Sequence, residues 1–277
     1  MQIAIEQLAA FADGAFSGNP AAVCVLEAWL PDTLLQAIAR ENNLSETAFV
    51  LGDQGAYHLR WFTPSCEVNL CGHATLAAAQ VLFQREPQQT GLTFATRSGR
   101  LHVERDEERA LAGQRDWFTL DFPAQPAEAC ATPTALTAAL GVTPMSCHRG
   151  IDWMVVLASE QQVQTLTPNL EGLAQLEGRG VIVTARSASS DFVSRFFAPR
   201  IGIPEDPVTG SAHCMLAPYW AQQLGKQTLM ARQLSARGGF LHCKVAGNRV
   251  RLSGRVIPYL KGVVQVPDPE PCIQPLP

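Results

Sequence analysis

Two stretches of this chain are apolar on every side of a helical turn, and each is opened by glycine. In the first, Gly72 to Phe83, the residues Ala74, Ala77, Ala78, Val81 and Leu82 follow helical period, and the opposite face is mostly alanine and leucine as well. The second runs from about Ser211 to Leu224. A helix without a polar face has no place on a protein surface and must be enclosed, so each is expected to be wrapped by sheet.

The lead-in is also repeated. Phe62-Thr63-Pro64 comes before Cys71-Gly72-His73-Ala74-Thr75, and Phe197-Ala198-Pro199 comes before Asp206-Pro207-Val208-Thr209-Gly210-Ser211-Ala212-His213. Strand, loop and glycine-opened helix are thus built twice. Such a helix start aims free backbone N–H groups and the positive end of a dipole at one point, which suits a carboxylate or phosphate. Two of them face to face would form a small-anion site between two halves of a molecule.

Between these anchors the pattern is mainly strand. Strands are expected at Ile3–Phe11, Ala21–Leu26, Thr47–Leu51, Ala56–Phe62, Leu92–Thr96, Arg100–Arg105 and Trp117–Phe122. A helix fits Pro31–Asn42, with Pro31 at its first position. Pro123-Ala124-Gln125-Pro126-Ala127 reads as a linker. Beyond it the order repeats: a helix over Pro133–Leu140, capped by Thr132 and stopped by Gly141, then strands at Met154–Leu157, Val181–Thr184, Phe192–Phe197, Leu229–Ala236, Phe240–Ala246 and Arg249–Leu252. A loose tail is expected after Val266. Strands outnumber helices and short turns join many of them, which argues for an α+β protein over a doubly wound parallel sheet. The expected architecture is two similar lobes, residues 1–119 and 127–277, each a mixed, barrel-like sheet around one central apolar helix.

Composition narrows the function. The 277 residues suit one large domain or two ordinary ones, and 47% hydrophobic against 17% charged residues supports a full core. Net charge is −4 and the Lys and Arg residues are scattered, so no nucleic-acid surface is expected. No apolar run reaches the roughly 18 residues of a membrane span. Met1-Gln2-Ile3-Ala4-Ile5-Glu6 has no positive region ahead of an apolar core, so no signal peptide is expected. The eight cysteines form no C-x-x-C pair and read as reduced thiols of a cytoplasmic protein.

Several residues could carry chemistry. Glu46, in Leu44-Ser45-Glu46-Thr47-Ala48-Phe49, opens an apolar strand, where poor solvation would raise a carboxyl pKa toward a value useful for proton transfer. Its plain alternative is a surface acid in a loop. Asp206, with Glu205, precedes the second glycine and could equally be a turn opener. His73 sits at the first helix start and Ser211 at the matching place in the second. Cys71 could be a thiol activated by the helix N-terminus, although a two-thiol racemase would want a partner where Thr209-Gly210 stands, and Cys214 comes a full turn later. A zinc site from Cys66, Cys71 and His73 lacks a convincing fourth ligand unless His213-Cys214 supplies one, and no metal is expected. No G-x-S-x-G, Walker or G-x-G-x-x-G pattern occurs, so no nucleotide cofactor is expected.

Six segments in order complete the picture: Phe11-Ala12-Asp13 leading to Phe16-Ser17-Gly18-Asn19-Pro20-Ala21-Ala22-Val23; Asn43-Leu44-Ser45-Glu46-Thr47-Ala48-Phe49; Arg60-Trp61-Phe62-Thr63-Pro64; Glu67 to Thr75; Phe197-Ala198-Pro199 on to Glu205-Asp206-Pro207-Val208-Thr209-Gly210-Ser211-Ala212; and Gln233-Leu234-Ser235-Ala236-Arg237-Gly238-Gly239. As a set they resemble the PhzF-like family, named for the phenazine-biosynthesis isomerase. The resemblance implies a diaminopimelate-epimerase-like fold, with the active site between the lobes and a C-terminal segment able to cross back to the first. It implies a cofactor-independent isomerase of a small carboxylate-bearing metabolite, and a homodimer. Glu46 then matches the acid–base group, and His73 and Asp206 match groups that hold and polarise the substrate. Asn19, Gly72, Gly210 and Ser211 are the matching substrate-binding positions. Cys71 falls where related epimerases carry a catalytic thiol. A thiol-dependent epimerase or racemase, and a non-catalytic metabolite-binding protein on the same scaffold, are the alternatives.

Overall fold

The computed structural model describes residues 1–106, 109, 111, 113–114 and 116–267. The loose tail expected after Val266 falls almost wholly outside the described residues. In chain order the first half holds β1 (Gln2–Ala10), β2 (Asn19–Leu26), α1 (Asp32–Asn42), β3 (Glu46–Asp53), β4 (Ala56–Phe62), β5 (Glu67–Val68), α2 (Gly72–Arg85), β6 (Gly91–Thr96), β7 (Gly99–Arg105) and β8 (Trp117–Pro123). The second half holds β9 (Glu128–Cys130), α3 (Thr134–Leu140), β10 (Ser146–Arg149), β11 (Trp153–Val156), α4 (Glu160–Thr165), α5 (Leu170–Ala174), β12 (Val181–Arg186), β13 (Phe192–Ala198), β14 (Ile203–Asp206), α6 (Gly210–Leu224), β15 (Thr228–Gln233), β16 (Gly239–Ala246) and β17 (Arg249–Gln265).

The all-round apolar helices are enclosed as their composition requires. Every residue of α2 from His73 to Phe83 is buried. Around it the strands close on themselves in the order β1-β2-β3-β4-β6-β7-β8-β17, with β17 returning to β1. The second sheet runs β9-β10-β11-β12-β13-β15-β16-β17 and shares β8 with the first, around α6. The two halves repeat one scheme. β2 and β3 are parallel, as are β11 and β12; β4 and β6 are parallel, as are β13 and β15. The fold is therefore α+β, with two similar lobes each wrapped around a central helix.

Alternation sets which side of each strand meets the helix. In β4, Tyr57, Leu59 and Trp61 join the main core, while Phe62 turns outward to pack with Phe49 under α1. The main core is continuous through both central helices, and a separate cluster lies under α3, α4 and α5. Pro31 and Pro133 are caps rather than first helical residues, which displaces Thr132 from the cap expected for it. Both prolines hold extended ψ, and a cap has no need of the N–H that proline lacks. Asn43 and Gly141 stop their helices in the left-handed conformation.

The largest departure from the expected strands is β17. Gly254 and Pro258 look like breakers, yet the strand continues past Leu252 to Gln265. Its first part pairs with β16 and β8, and its last part pairs with β1 from Val256↔Ala10 to Gln265↔Gln2. Pro258 is accommodated at a register shift, where Gln7 faces Leu260 and Leu8 faces Pro258. Gly254 is required by close approach, because a Cβ there would overlap the ring of Phe11. Gly254→Val is expected to lower stability by about 1–3 kcal/mol through this overpacking, seen as a lower urea midpoint with an unchanged slope.

Candidate active site

Glu46 begins β3 and lies in parallel register with Ala21 of β2. Alternation along β3 puts Glu46 on the side of Ala48 and Val50, which join the main core, so the carboxylate is carried inward and is only 8% exposed. Cys71 caps α2 in an extended conformation, Gly72 opens the helix, and His73 follows, 5% exposed. The His73 Nε2 atom is 2.9 Å from Glu46 Oε2. Cys71 Sγ lies 3.5 Å from His73 Nδ1. Glu46 Oε2 accepts no aligned hydrogen bond among the described residues. The sequence-derived triplet of acid, thiol and imidazole is thus assembled at one helix start.

Burial pushes the Cys71 thiol up to about 11, and the nearby Glu46 charge acts in the same direction. These outweigh the neighbouring imidazole, so the thiol is neutral near pH 7 despite its place at a helix N-terminus. For His73, burial disfavours the charged form, but negative charge at Cys71 and Glu46 prevails and its pKa rises well above the ordinary value. With the thiol neutral, Glu46 is the partner that carries this effect near neutrality.

The facing side comes from the second lobe. Asp206 ends β14, and its Oδ1 accepts from Asn19 Nδ2 at 2.8 Å. Asn19 Nδ2 also donates to the Val208 carbonyl at 2.9 Å. Thr209 Oγ1 donates to Asp206 Oδ2 at 2.5 Å. Gln233 Nε2 donates to the Asp206 carbonyl at 2.7 Å, while its Oε1 accepts from Thr209 N at 2.9 Å. Burial raises the Asp206 pKa; the Glu46 charge adds to this, against the opposing effects of His73 and the two side-chain donors. Asp206 therefore senses Glu46 and His73 across the lobe boundary. Asn19, expected at the substrate, is fully buried and gives its amide protons to Asp206 and Val208. It holds Asp206 from the opposite lobe.

The two helix starts flank a single cross-strand pair. A Cβ on Gly72 would meet Phe122 and Leu120 at 3.5 and 3.9 Å, and one on Gly210 would meet Leu252 and Phe11 at 3.8 and 3.9 Å. Leu120 and Leu252 face each other across β8 and β17. These are ordinary contacts, and neither glycine has positive φ. Packing and backbone conformation do not demand glycine at either place; its absent side chain leaves the helix-start amides approachable.

Ser211 looks toward a pair that no motif announced. Its Oγ accepts from Arg179 Nη2 at 3.0 Å, and Arg179 Nε donates to Asp152 Oδ1 at 3.0 Å. Arg179 precedes β12 as Leu44 and Ser45 precede β3, a likeness visible only once the two halves are aligned. Ligand atoms of Glu46, Cys71 and His73 lie within 4.8 Å of one another and could hold a metal ion, once the Cys71 proton was shed. Cys66 is exposed, and His213 Nδ1 donates to the Thr209 carbonyl at 2.7 Å, so neither joins that cluster. A cavity of about 580 Å³, lined by Gln80, Phe83, Arg105, Trp117 and Arg255, involves none of the residues above.

His73 gives a testable sign. Its folded-state pKa lies above the unfolded value, so the stability it contributes is fully present below about pH 6.5 and is lost as pH rises through the raised value. His73→Gln is expected to be most destabilising near about pH 6 and progressively less so as pH rises through the raised folded-state value, as read from urea midpoints.

Comparison with known proteins places this geometry. The family model described as phenazine biosynthesis-like protein matches residues 8–262. A Pseudomonas aeruginosa protein named as an isomerase is 52% identical over 267 residues, covering 96% of this chain and 100% of its own. The crystal structure of a PhzF-family phenazine biosynthesis protein from Enterococcus faecalis is similar with a TM-score of 0.90 and 46% identity, over 96% of this chain and 100% of that one. A hydroxyproline epimerase from Agrobacterium vitis, solved with trans-4-hydroxy-L-proline, shares the fold at a TM-score of 0.62 and 12% identity, over 97% and 94% of the two chains.

Proposed function

Because the chain belongs to the phenazine biosynthesis-like family and is an isomerase, we propose that it moves a proton within a small carboxylate-bearing metabolite, with Glu46 as the acid–base group. The observation that carries this reading is the buried Glu46 carboxylate, whose Oε2 is paired with His73 Nε2 at 2.9 Å. A buried carboxylate held in place by an imidazole is well placed to take a proton from carbon.

The remaining residues divide the work by position. His73, whose pKa is raised, offers a cation that stabilises negative charge as it builds on the substrate and orients Glu46. Asp206 faces both from the second lobe, its carboxyl fixed by Asn19 and Thr209 so that it can hold and polarise the substrate. The amides at Gly210 and Ser211 hold the substrate's carboxylate, and those at Gly72 and His73 stabilise the negative charge that builds on the substrate. Glu46 then returns the proton to a different atom of the same molecule. The scheme requires no metal or organic cofactor.

The thiol reading has one observation in its favour, the 3.5 Å approach of Cys71 Sγ to His73 Nδ1. Against it stand a thiol pushed up to about 11 and a second helix start that offers Thr209 in place of a partner thiol. Cys214 is buried, its thiol directed to the Gly210 carbonyl at 3.6 Å.

Glu46→Gln is expected to reduce turnover by roughly 10²–10⁴-fold with binding largely kept, whereas Cys71→Ser should stay within a few-fold of wild type. The measurement is deuterium uptake by a metabolite pool in heavy water. Uptake that persists in Glu46→Gln and vanishes in Cys71→Ser would transfer the role to the thiol.

A further inference from the structure

The two lobes place different chemistry at their helix starts. In the first lobe Glu46, which opens β3, lies 2.9 Å from His73, the residue after the helix-opening glycine. In the second, Arg179, just ahead of β12, lies 3.0 Å from Ser211, the residue after Gly210. Register matches Glu46, opposite Ala21, with Val181, opposite Trp153, so Arg179 approaches its helix start from two residues ahead of the matching place. Where one lobe presents an acid and an imidazole, the other presents a guanidinium and a hydroxyl.

Arg179 is firmly held. Its Nε donates to Asp152 Oδ1 at 3.0 Å, its Nη2 pairs with Asp152 Oδ2, and the Asp152 side chain is 0% exposed. The guanidinium also sits 5.3 Å from the ring of Phe196, the strand partner of Asp206. Nη2 is shared with Ser211 Oγ, so the Ser211 hydroxyl proton is left to donate elsewhere. Nη1 has no partner among the described residues, and the side chain is 31% exposed.

The charge balance calls for a guest. The first turn of α6 has no acidic residue, and its free N–H groups already carry partial positive charge. An arginine beside such an end is of the wrong sign for helix stability, and Asp152 cancels only its single charge. A bound anion would satisfy the helix amides, the open Nη1 and the Ser211 hydroxyl together. We infer that Arg179 is a specificity-determining residue: Nη1 and the Ser211 hydroxyl grip a carboxylate of the substrate on the second-lobe side, and Asp152 is the positioning residue that fixes the grip. The substrate class follows as a small carboxylic acid whose carboxylate points away from Glu46, the acidic C–H lying on the Glu46 side. This inference rests on the isomerase reading of the same cleft.

Binding of simple probes tests it without knowledge of the natural substrate. Acetate, succinate and benzoate, with acetamide, succinamide and benzamide as neutral counterparts, would be titrated calorimetrically into four proteins: wild type, Glu46→Gln, and the neutral pairs Arg179→Met/Asp152→Asn and Arg179→Gln/Asp152→Asn. Each double variant removes the buried charge together with its partner, and whichever retains cooperative unfolding serves. Wild type and Glu46→Gln should prefer at least one carboxylate over its amide by about tenfold or more. The neutral pair should lose that preference. Equal binding of acid and amide by wild type, or an undiminished preference in the neutral pair, overturns the assignment of Arg179. Proton exchange that survives Glu46→Gln would instead sink the parent reading while leaving the anion result intact.

Discussion

The antiparallel pairing of β8 with β17 is the contact on which the arrangement depends. It belongs to both sheets, with Arg249 to Arg255 opposite Pro123 to Trp117. Leu120 and Leu252, directly opposed in this ribbon, lie beside Gly72 and Gly210, so one cross-strand pair sets the separation of the two helix starts. One step along, the hydroxyls of Thr119 and Ser253 are 2.7 Å apart and satisfy each other in a buried position. A shift of one residue in this ribbon would reverse every inward side chain and move both helix starts at once. Precision in the cleft is therefore a property of sheet register more than of loops.

From that frame an uneven electrostatic site follows. Glu46, with His73 alongside, faces Asp206, and the Glu46 charge raises the Asp206 pKa while His73 opposes it. The protein resolves this by giving the imidazole a raised pKa and by hydrogen-bonding Asp206 to Thr209 and Asn19. The two lobes repeat one strand scheme but carry different side chains at their helix starts, Glu46 and His73 on one and Arg179 and Ser211 on the other. A site of identical halves would favour a symmetric reaction. Unequal halves suit a reaction in which one group both removes and returns the proton.

How much of this was legible in the sequence depended on how local each cause was. The enclosed helices were readable because absence of a polar face is a property of the segment itself. The joint role of Glu46 and His73 came with the family resemblance of the six ordered segments, since the residues around Glu46 fit a surface acid in a loop equally well. β17 was not, since whether Gly254 breaks a strand depends on a ring 243 positions earlier, that of Phe11, filling the space where a side chain would go. Asn19 has the same character: its position in a motif drew attention, but its partners, Asp206 and Val208, belong to the other lobe. The raised thiol pKa of Cys71 shows competition between two real effects, a helix N-terminus that lowers it and burial that raises it, and only the packed structure reveals that burial prevails. Asp152 and Arg179 have no pattern of their own and acquire meaning only through the contact of Arg179 with Ser211.

The route of β17 bears on how the molecule is made. Its final residues complete the first barrel by pairing with β1, in a ladder that joins Gln2 to Gln265. A chain emerging from the ribosome in order can form α2 and most of its surrounding strands early, yet the seam between β1 and β8 stays open until residues 256–265 have been released. An unsealed edge of that kind is a template for pairing with other chains. The first lobe is thus the first to be synthesised but cannot be the first to finish, and the time between those events is when the nascent protein most needs shelter.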